Sequence, residues 1–208
     1  MFEWKCGMNR FKWIVTIVLV SGVGCAAPHH VPLLLSPWTP TSRPASLPSS
    51  RPAVSVSEMT VQTLPSLTFF FESTRTTPLD LQRTIDRVTA DLAQVANDGK
   101  VTYSGPCVFV FRGRTAELRR PFTLEIGFPV PEGTRQFGRF QIRKLAAFHC
   151  AAVTFIGPGS SIDKAYDKLD PAVDAAGLRR TDEVREVYLS WEGPDFPGDQ
   201  VLVGVGVK

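Results

Sequence analysis

Two amphipathic runs of the same phase constrain this chain more than any other feature. Leu81, Ile85, Val88, Leu92 and Val95 recur at 4-3-4-3 spacing, and Ile162, Tyr166, Leu169, Val173 and Ala176 repeat that spacing. Each pattern lays one apolar stripe along a helix, and each stripe must be buried against another layer. Thr77 is the expected N-cap of the first helix, with Pro78 at its first position, where a missing N–H costs nothing. Asn97-Asp98-Gly99 should stop the first helix and Gly177 the second. Pro171 removes a helical hydrogen bond and is expected to kink or split the second helix after Asp170.

Strand-like runs surround the helices. LTFFFE (67–72) precedes the first helix and CVFVF (107–111) follows it. FTLEIGFPV (122–130), FGRFQIRKL (137–145) and AFHCAAVTFI (147–156) lead to Gly157-Pro158-Gly159 and a Ser160/Ser161 cap. VREVYLSW (184–191) follows the second helix, and DQVLVGVGV (199–207) closes the chain. The folded part therefore reads as two similar halves, the second beginning with the 122–130 strand. From Gly99 to Val108 is nine residues, as from Gly177 to Glu186, which would make Val108 and Val110 the counterparts of Glu186 and Tyr188.

The first 25 residues form a separate segment. Lys5, Arg10 and Lys12 precede an apolar run from Trp13 to Gly24, the pattern of a secretory signal peptide with its start at Met1 or Met8. Gly22-Val23-Gly24-Cys25 resembles a lipobox, in which Cys25 would carry the lipid; cleavage after Ala27 is the competing reading. Lipidation would tether the chain to a membrane by acyl burial. Residues 26–60 read as a Pro/Ser-rich spacer: seven prolines and seven serines fall among positions 28–57. Such a stretch has little apolar surface to bury. His29 and His30 lie in it as solvated residues. The folded domain is expected over 61–208, exported to the periplasmic or cell-envelope face.

Charge separates along the chain. Residues 58–208 hold 18 Lys+Arg against 19 Asp+Glu, while the preceding 57 residues hold five against one. The folded part has no basic surplus for a nucleic-acid partner. Arg112, Arg114, Arg119 and Arg120 cluster with Glu117 and read as a solvated rim. Cys107 and Cys150 fall on predicted strands, where they either pair, as export permits, or stay buried and free. No metal-ligand spacing and no cofactor motif is present.

On VREVYLSW, Glu186 and Tyr188 project from one face, and Val187, Leu189 and Trp191 from the other. A carboxylate beside a phenol fits a pocket for a polar or cationic organic molecule. Val108 and Val110 would supply its apolar wall, and Glu125 a second acid. Trp191 and Tyr166 read as core, and His149 as a packed or rim histidine.

The ordered series LEIGFPV (124–130), AVTFIGP (152–158), Ala165-Tyr166 with Leu169, Gly177 and REVYL (185–189) resembles the GyrI-like family. That family is also the effector-binding domain of many bacterial multidrug-responsive transcription activators. The resemblance covers about 66–207. It implies an α+β fold: duplicated strand–helix–strand–strand units forming a pseudo-twofold antiparallel β structure, with two main helices and a central cleft. It also implies that Glu186, on the last-but-one strand, is the ligand-contacting acid. Two departures stand out: the last strand lacks the family's Thr-Glu pair, and Pro171 falls where the family helix runs on.

The expected function is a membrane-tethered, exported domain that captures a lipophilic organic ligand, cationic or neutral, in a cleft with an acidic residue. One alternative is hydrolysis of strained electrophiles, with Glu186 as general base and Tyr188 donating to the leaving oxygen. A second is tetrapyrrole binding of the SOUL type, which shares the duplicated architecture but would have to rely on His149.

Overall fold

Phe69, Phe70 and Phe71 are all buried in succession, so the strand that carries them has packed layers on both faces. The computed structural model describes residues 54–115, 117–192 and 195–208. The leader, Cys25, the His29-His30 pair and the spacer up to residue 53 lie outside them. The strands are β1 (Ser55–Val56), β2 (Thr60–Leu64), β3 (Leu67–Thr76), β4 (Cys107–Arg112), β5 (Phe122–Pro129) and β6 (Gln141–Leu145). They continue with β7 (Phe148–Ile156), β8 (Arg180–Ser190) and β9 (Gln200–Val207). Helix α1 spans Leu81–Asn97 between β3 and β4, and α2 spans Asp163–Ala175 between β7 and β8. This is an α+β fold of one antiparallel sheet with two helices. Pairing already begins at Ser55 and Thr60, inside the segment expected as spacer.

The sheet order is β1-β7-β9-β8-β4-β5-β3-β6, with β2 also on β7. Read from the middle, β4-β5-β3-β6 on one side mirrors β8-β9-β7-β2 on the other. A pseudo-twofold axis thus passes between β4 and β8. The two halves are β3-α1-β4-β5 and β7-α2-β8-β9. Strand β5 pairs with β3 and β4 and so completes the first half, contrary to the expectation that it opens the second. The flanking strands are exchanged: β2 precedes β3 but pairs with β7, and β6 precedes β7 but pairs with β3.

Both helices lie on one face. The α1 stripe buries Val88, Leu92 and Val95 against Phe70, Phe109, Phe111, Phe122, Leu124 and Ile126. The α2 stripe buries Ala165, Leu169 and Val173 against Val153, Phe155 and the β9 valines. Full burial of each valine or leucine among them contributes on the order of 1.5–3 kcal/mol. Gly99 and Gly177 follow the two helices with the same left-handed φ of 66°, the conformation that a tight helix exit requires. Helix α1 starts later than expected: Pro78-Leu79-Asp80 form a turn, in which the Asp80 N–H donates to the Thr77 hydroxyl at 3.3 Å.

Helix α2 runs through Pro171 without a break. Fully buried Leu169 and Val173 hold it to the sheet on either side of the proline. Arg180 braces the same turn through the Asp170 carboxylate, the Asp170 carbonyl (2.7 Å) and Asp174 (2.9 Å).

The opposite face holds Phe69, Phe71, Val108, Val110 and Leu145, with Val187 packed against them. A ladder of ion pairs crosses it in the order Arg143, Glu125, Arg112, Glu183, Arg185. Close neighbours here, backbone at Gly127 and a side chain at Gly206, leave no room for a Cβ. A Cβ at Gly127 would lie 2.1 Å from the Phe70 carbonyl oxygen, and one at Gly206 would lie 2.2 Å from Thr181 Oγ1. Cys150 belongs to this face, beside Phe148 and Ala152, whereas Cys107 packs on the helical side. Both thiols are free, and burial pushes them up to about 12 for Cys107 and about 11 for Cys150. Of the two readings of these cysteines, the unpaired one holds. Among the described residues, no helix is long and apolar enough to cross a membrane.

Candidate functional site

Strand β8 is where the halves meet: Val184 and Tyr188 pack against both helical cores. Between them, Glu186 lies across from Phe109 of β4 on one side and Val203 of β9 on the other. Both neighbours are helix-facing core residues, so alternation along β8 turns the carboxylate inward. It is only 4% exposed.

What receives this carboxylate is a pair of phenols. The Tyr166 hydroxyl donates to Glu186 Oε1 at 2.5 Å, and the Tyr188 hydroxyl donates to Oε2 at 2.7 Å. Tyr188 sits two residues along the strand, on the same face. Tyr166 descends from α2. Further out, Arg114 Nη1–H donates to the Tyr166 hydroxyl at 3.2 Å. The Arg114 guanidinium carbon lies 5.1 Å from the Phe111 ring centre and 5.0 Å from that of Tyr166. Phe109 lies 4.5 Å from Tyr188 between ring centres, and Trp191 meets the same ring edge-on at 5.3 Å.

Burial raises the Glu186 pKa above the ordinary carboxylate value; the two phenol hydrogen bonds and the Arg114 charge oppose this without cancelling it. Tyr166 and Tyr188 are raised well above the usual phenol value, by burial first and then by the adjacent carboxylate. Both phenols are therefore donors, and Glu186 is the group whose charge can change. Among the described residues, no Lys or Arg forms an ion pair with it. The other buried glutamates differ: Glu72 binds Arg87 and Arg139, and Glu125 binds Arg112 and Arg143.

The expected site is thus partly assembled. Glu186 and Tyr188 come together as the strand alternation requires. Val108 and Val110 do not join them: Val108 pairs with Val187 and Val110 with Arg185, so both valines project from the opposite face. Counting from the glycines matched Val108 to Glu186, whereas the register sets Phe109 opposite Glu186 and turns Val108 to the other face. Glu125 is on that opposite face too, 7% exposed, and held by two arginines. The apolar wall is instead made by Phe109, Phe111 and the tyrosine rings. The helical stripe marks Tyr166 as core, yet its hydroxyl reaches the acid. Its signal was a phenol on an otherwise aliphatic stripe, facing a strand with a lone carboxylate. Arg114 is exposed, as expected of the rim, and in addition stacks on two rings.

His149 is exposed on β7, with Nδ1 3.2 Å from the Thr63 hydroxyl at the outer edge of the sheet. It offers no axial ligand at the junction of the halves. Among the described residues, no group of His, Cys, Asp or Glu is placed to hold a metal ion.

Residues 57–199 match the family described as the GyrI-like small molecule binding domain. No curated protein matches the chain. Among solved structures the chain is similar to EcmrR in a DNA complex, with a TM-score of 0.61 and 17% identity over 73% of this chain. It spans 57% of that EcmrR chain. The EcmrR C-terminal domain alone gives a TM-score of 0.57 and 18% identity, over 73% of this chain and 97% of that one. SAV2435 bound to tetraphenylphosphonium gives 0.57 and 11%, over 73% and 94%. At these identities the likeness is one of fold. With a matched span that covers most of the chain, and a twofold sheet bearing its acid at the centre, this chain belongs to the GyrI-like small-molecule-binding family.

Proposed function

We infer that this domain binds a lipophilic organic cation, with Glu186 as the counter-charge. The observation that carries this reading is a buried carboxylate hydrogen-bonded by two phenols and, among the described residues, in direct ion pair with no Lys or Arg, set among aromatic rings. Aromatic faces attract weakly hydrated cations, and a desolvated carboxylate strengthens that attraction. A cation delivered to this position would supply the ionic partner that Glu72 and Glu125 obtain from arginines. Tetraphenylphosphonium in the similarly folded SAV2435 is a ligand of the required chemistry.

Isothermal titration with tetraphenylphosphonium tests this reading directly. Glu186→Gln should weaken binding by at least ~10-fold, because it removes the charge and keeps the shape. Binding should strengthen as pH rises through the elevated Glu186 pKa, since the cation favours the ionised form, and it should release a proton. Equal affinity in wild type and Glu186→Gln would sink the proposal.

The domain would act outside the cytoplasm, tethered to a membrane by lipid on Cys25 through a spacer rich in proline and serine. This part rests on the basic leader, the apolar run and the lipobox-like Gly22–Cys25. Fatty-acid labelling of the full chain checks it: label should be incorporated in wild type and lost in Cys25→Ser.

A further inference from the structure

The organic cation would not enter an unoccupied aromatic site. Arg114 leaves the end of β4, and its guanidinium lies over both the Phe111 and Tyr166 rings, at 5.1 Å and 5.0 Å. It donates to the Tyr166 hydroxyl, which in turn donates to Glu186. Arg114 as a whole residue is exposed; the rings and the phenol that its guanidinium meets, with the acid behind them, are what hold it there. A guanidinium is planar, delocalised and more weakly hydrated than an ammonium, and it stacks on aromatic faces. In its contacts it reproduces what a bound organic cation would require.

We propose that Arg114 is an intramolecular stand-in for the ligand, occupying the cation position of the Glu186 site until a cation with more apolar surface displaces it. The proposal rests on the binding function inferred above and adds a selection rule. A tethered side chain competes at a fixed effective concentration, of millimolar order for a short tether. Small, strongly hydrated ammonium ions cannot outcompete it. Delocalised or aryl-substituted cations can, because they bring additional ring contact. Arg114 thereby sets a threshold of lipophilicity, and the carboxylate stays shielded from inorganic cations.

The test compares wild type, Arg114→Gln, Arg114→Lys and Glu186→Gln as full-length proteins, each checked for folding by thermal denaturation. Tetraphenylphosphonium and tetramethylammonium are titrated into each. Removing the competitor should tighten tetraphenylphosphonium binding by roughly 10-fold in Arg114→Gln and less in Arg114→Lys. Arg114→Gln should also gain measurable tetramethylammonium binding. In wild type, the Arg114 Nε–H NMR resonance should shift on saturation with tetraphenylphosphonium, a readout that needs no variant to fold. Equal or weaker binding in Arg114→Gln, or a stationary Arg114 resonance, overturns the proposal while leaving the binding function intact. Absence of binding in both wild type and Arg114→Gln overturns both.

Discussion

At the scale of one residue, Glu186 is a group the fold holds at a cost. A carboxyl whose pKa is raised on folding binds its proton more tightly in the folded than in the unfolded state. Its contribution to stability is therefore best below the unfolded value of 4.5 and worsens as pH climbs through the raised value. A glutamine at this position carries no charge; its Oε1 can accept from one phenol while its amide N–H donates to the hydroxyl oxygen of the other. Glu186→Gln should match wild type near pH 4 or so and exceed it at about pH 8, the gap opening across the interval between. Urea denaturation at several pH values measures this gap. A wild type that is the more stable at alkaline pH would show that the phenols and Arg114 outweigh burial. The expected direction, stability gained and binding lost in one substitution, is the trade-off typical of functional sites.

At the scale of elements, the helices were legible and the pairings between strands were not. Each stripe is local: Leu81 to Val95 and Ile162 to Ala176 announce their buried faces within a single window of sequence. Strand pairing joins residues far apart, as Phe109 does with Glu186 and Cys150 with Gly206. A slip of one residue in such a register exchanges the two faces, which is how Val108 and Val110 came to be expected beside an acid they lie behind. Tyr166 escaped notice for the converse reason. A phenol on an apolar stripe looks like core until the strand beneath it is known to carry a carboxylate. Pro171 shows local propensity overridden by packing: Leu169 and Val173 keep α2 continuous where the proline alone would divide it. The lost hydrogen bond still has a cost, so Pro171→Ala should stabilise the domain by about 1–3 kcal/mol. That corresponds to a rise of roughly 2–4 °C in Tm per kcal/mol for a domain of this size. An unchanged Tm would mean that the Arg180 brace already offsets the defect.

At the scale of the whole molecule, the duplication is closed by an exchange of edge strands. Each half begins with a short strand that pairs with the other half: β2 with β7, and β6 with β3. Both exchanged strands join their successors through two residues, Pro65-Ser66 and Ala146-Ala147. The periodicities inside each half carry no trace of this crossing, which exists only in the assembled sheet. The β1–β7 and central β4–β8 pairs add further hydrogen bonds between the halves. A lone half would expose strand edges at its centre and flank, together with one side of the Glu186 site. Unpaired edges of this kind favour misassembly over independent folding. The exposed turn Pro131-Glu132-Gly133 offers a place to cut the chain between halves. Fragments 54–133 and 134–208 should each lack a cooperative thermal transition when alone. Mixed in equal amounts, they should regain the sheet's circular dichroism, a single transition and tetraphenylphosphonium binding. If either fragment folds cooperatively by itself, the exchanged strands are an embellishment on independent halves. If only the mixture folds, the ligand site and the fold share one cause, because the strand that presents Glu186 is ordered by contacts from both halves.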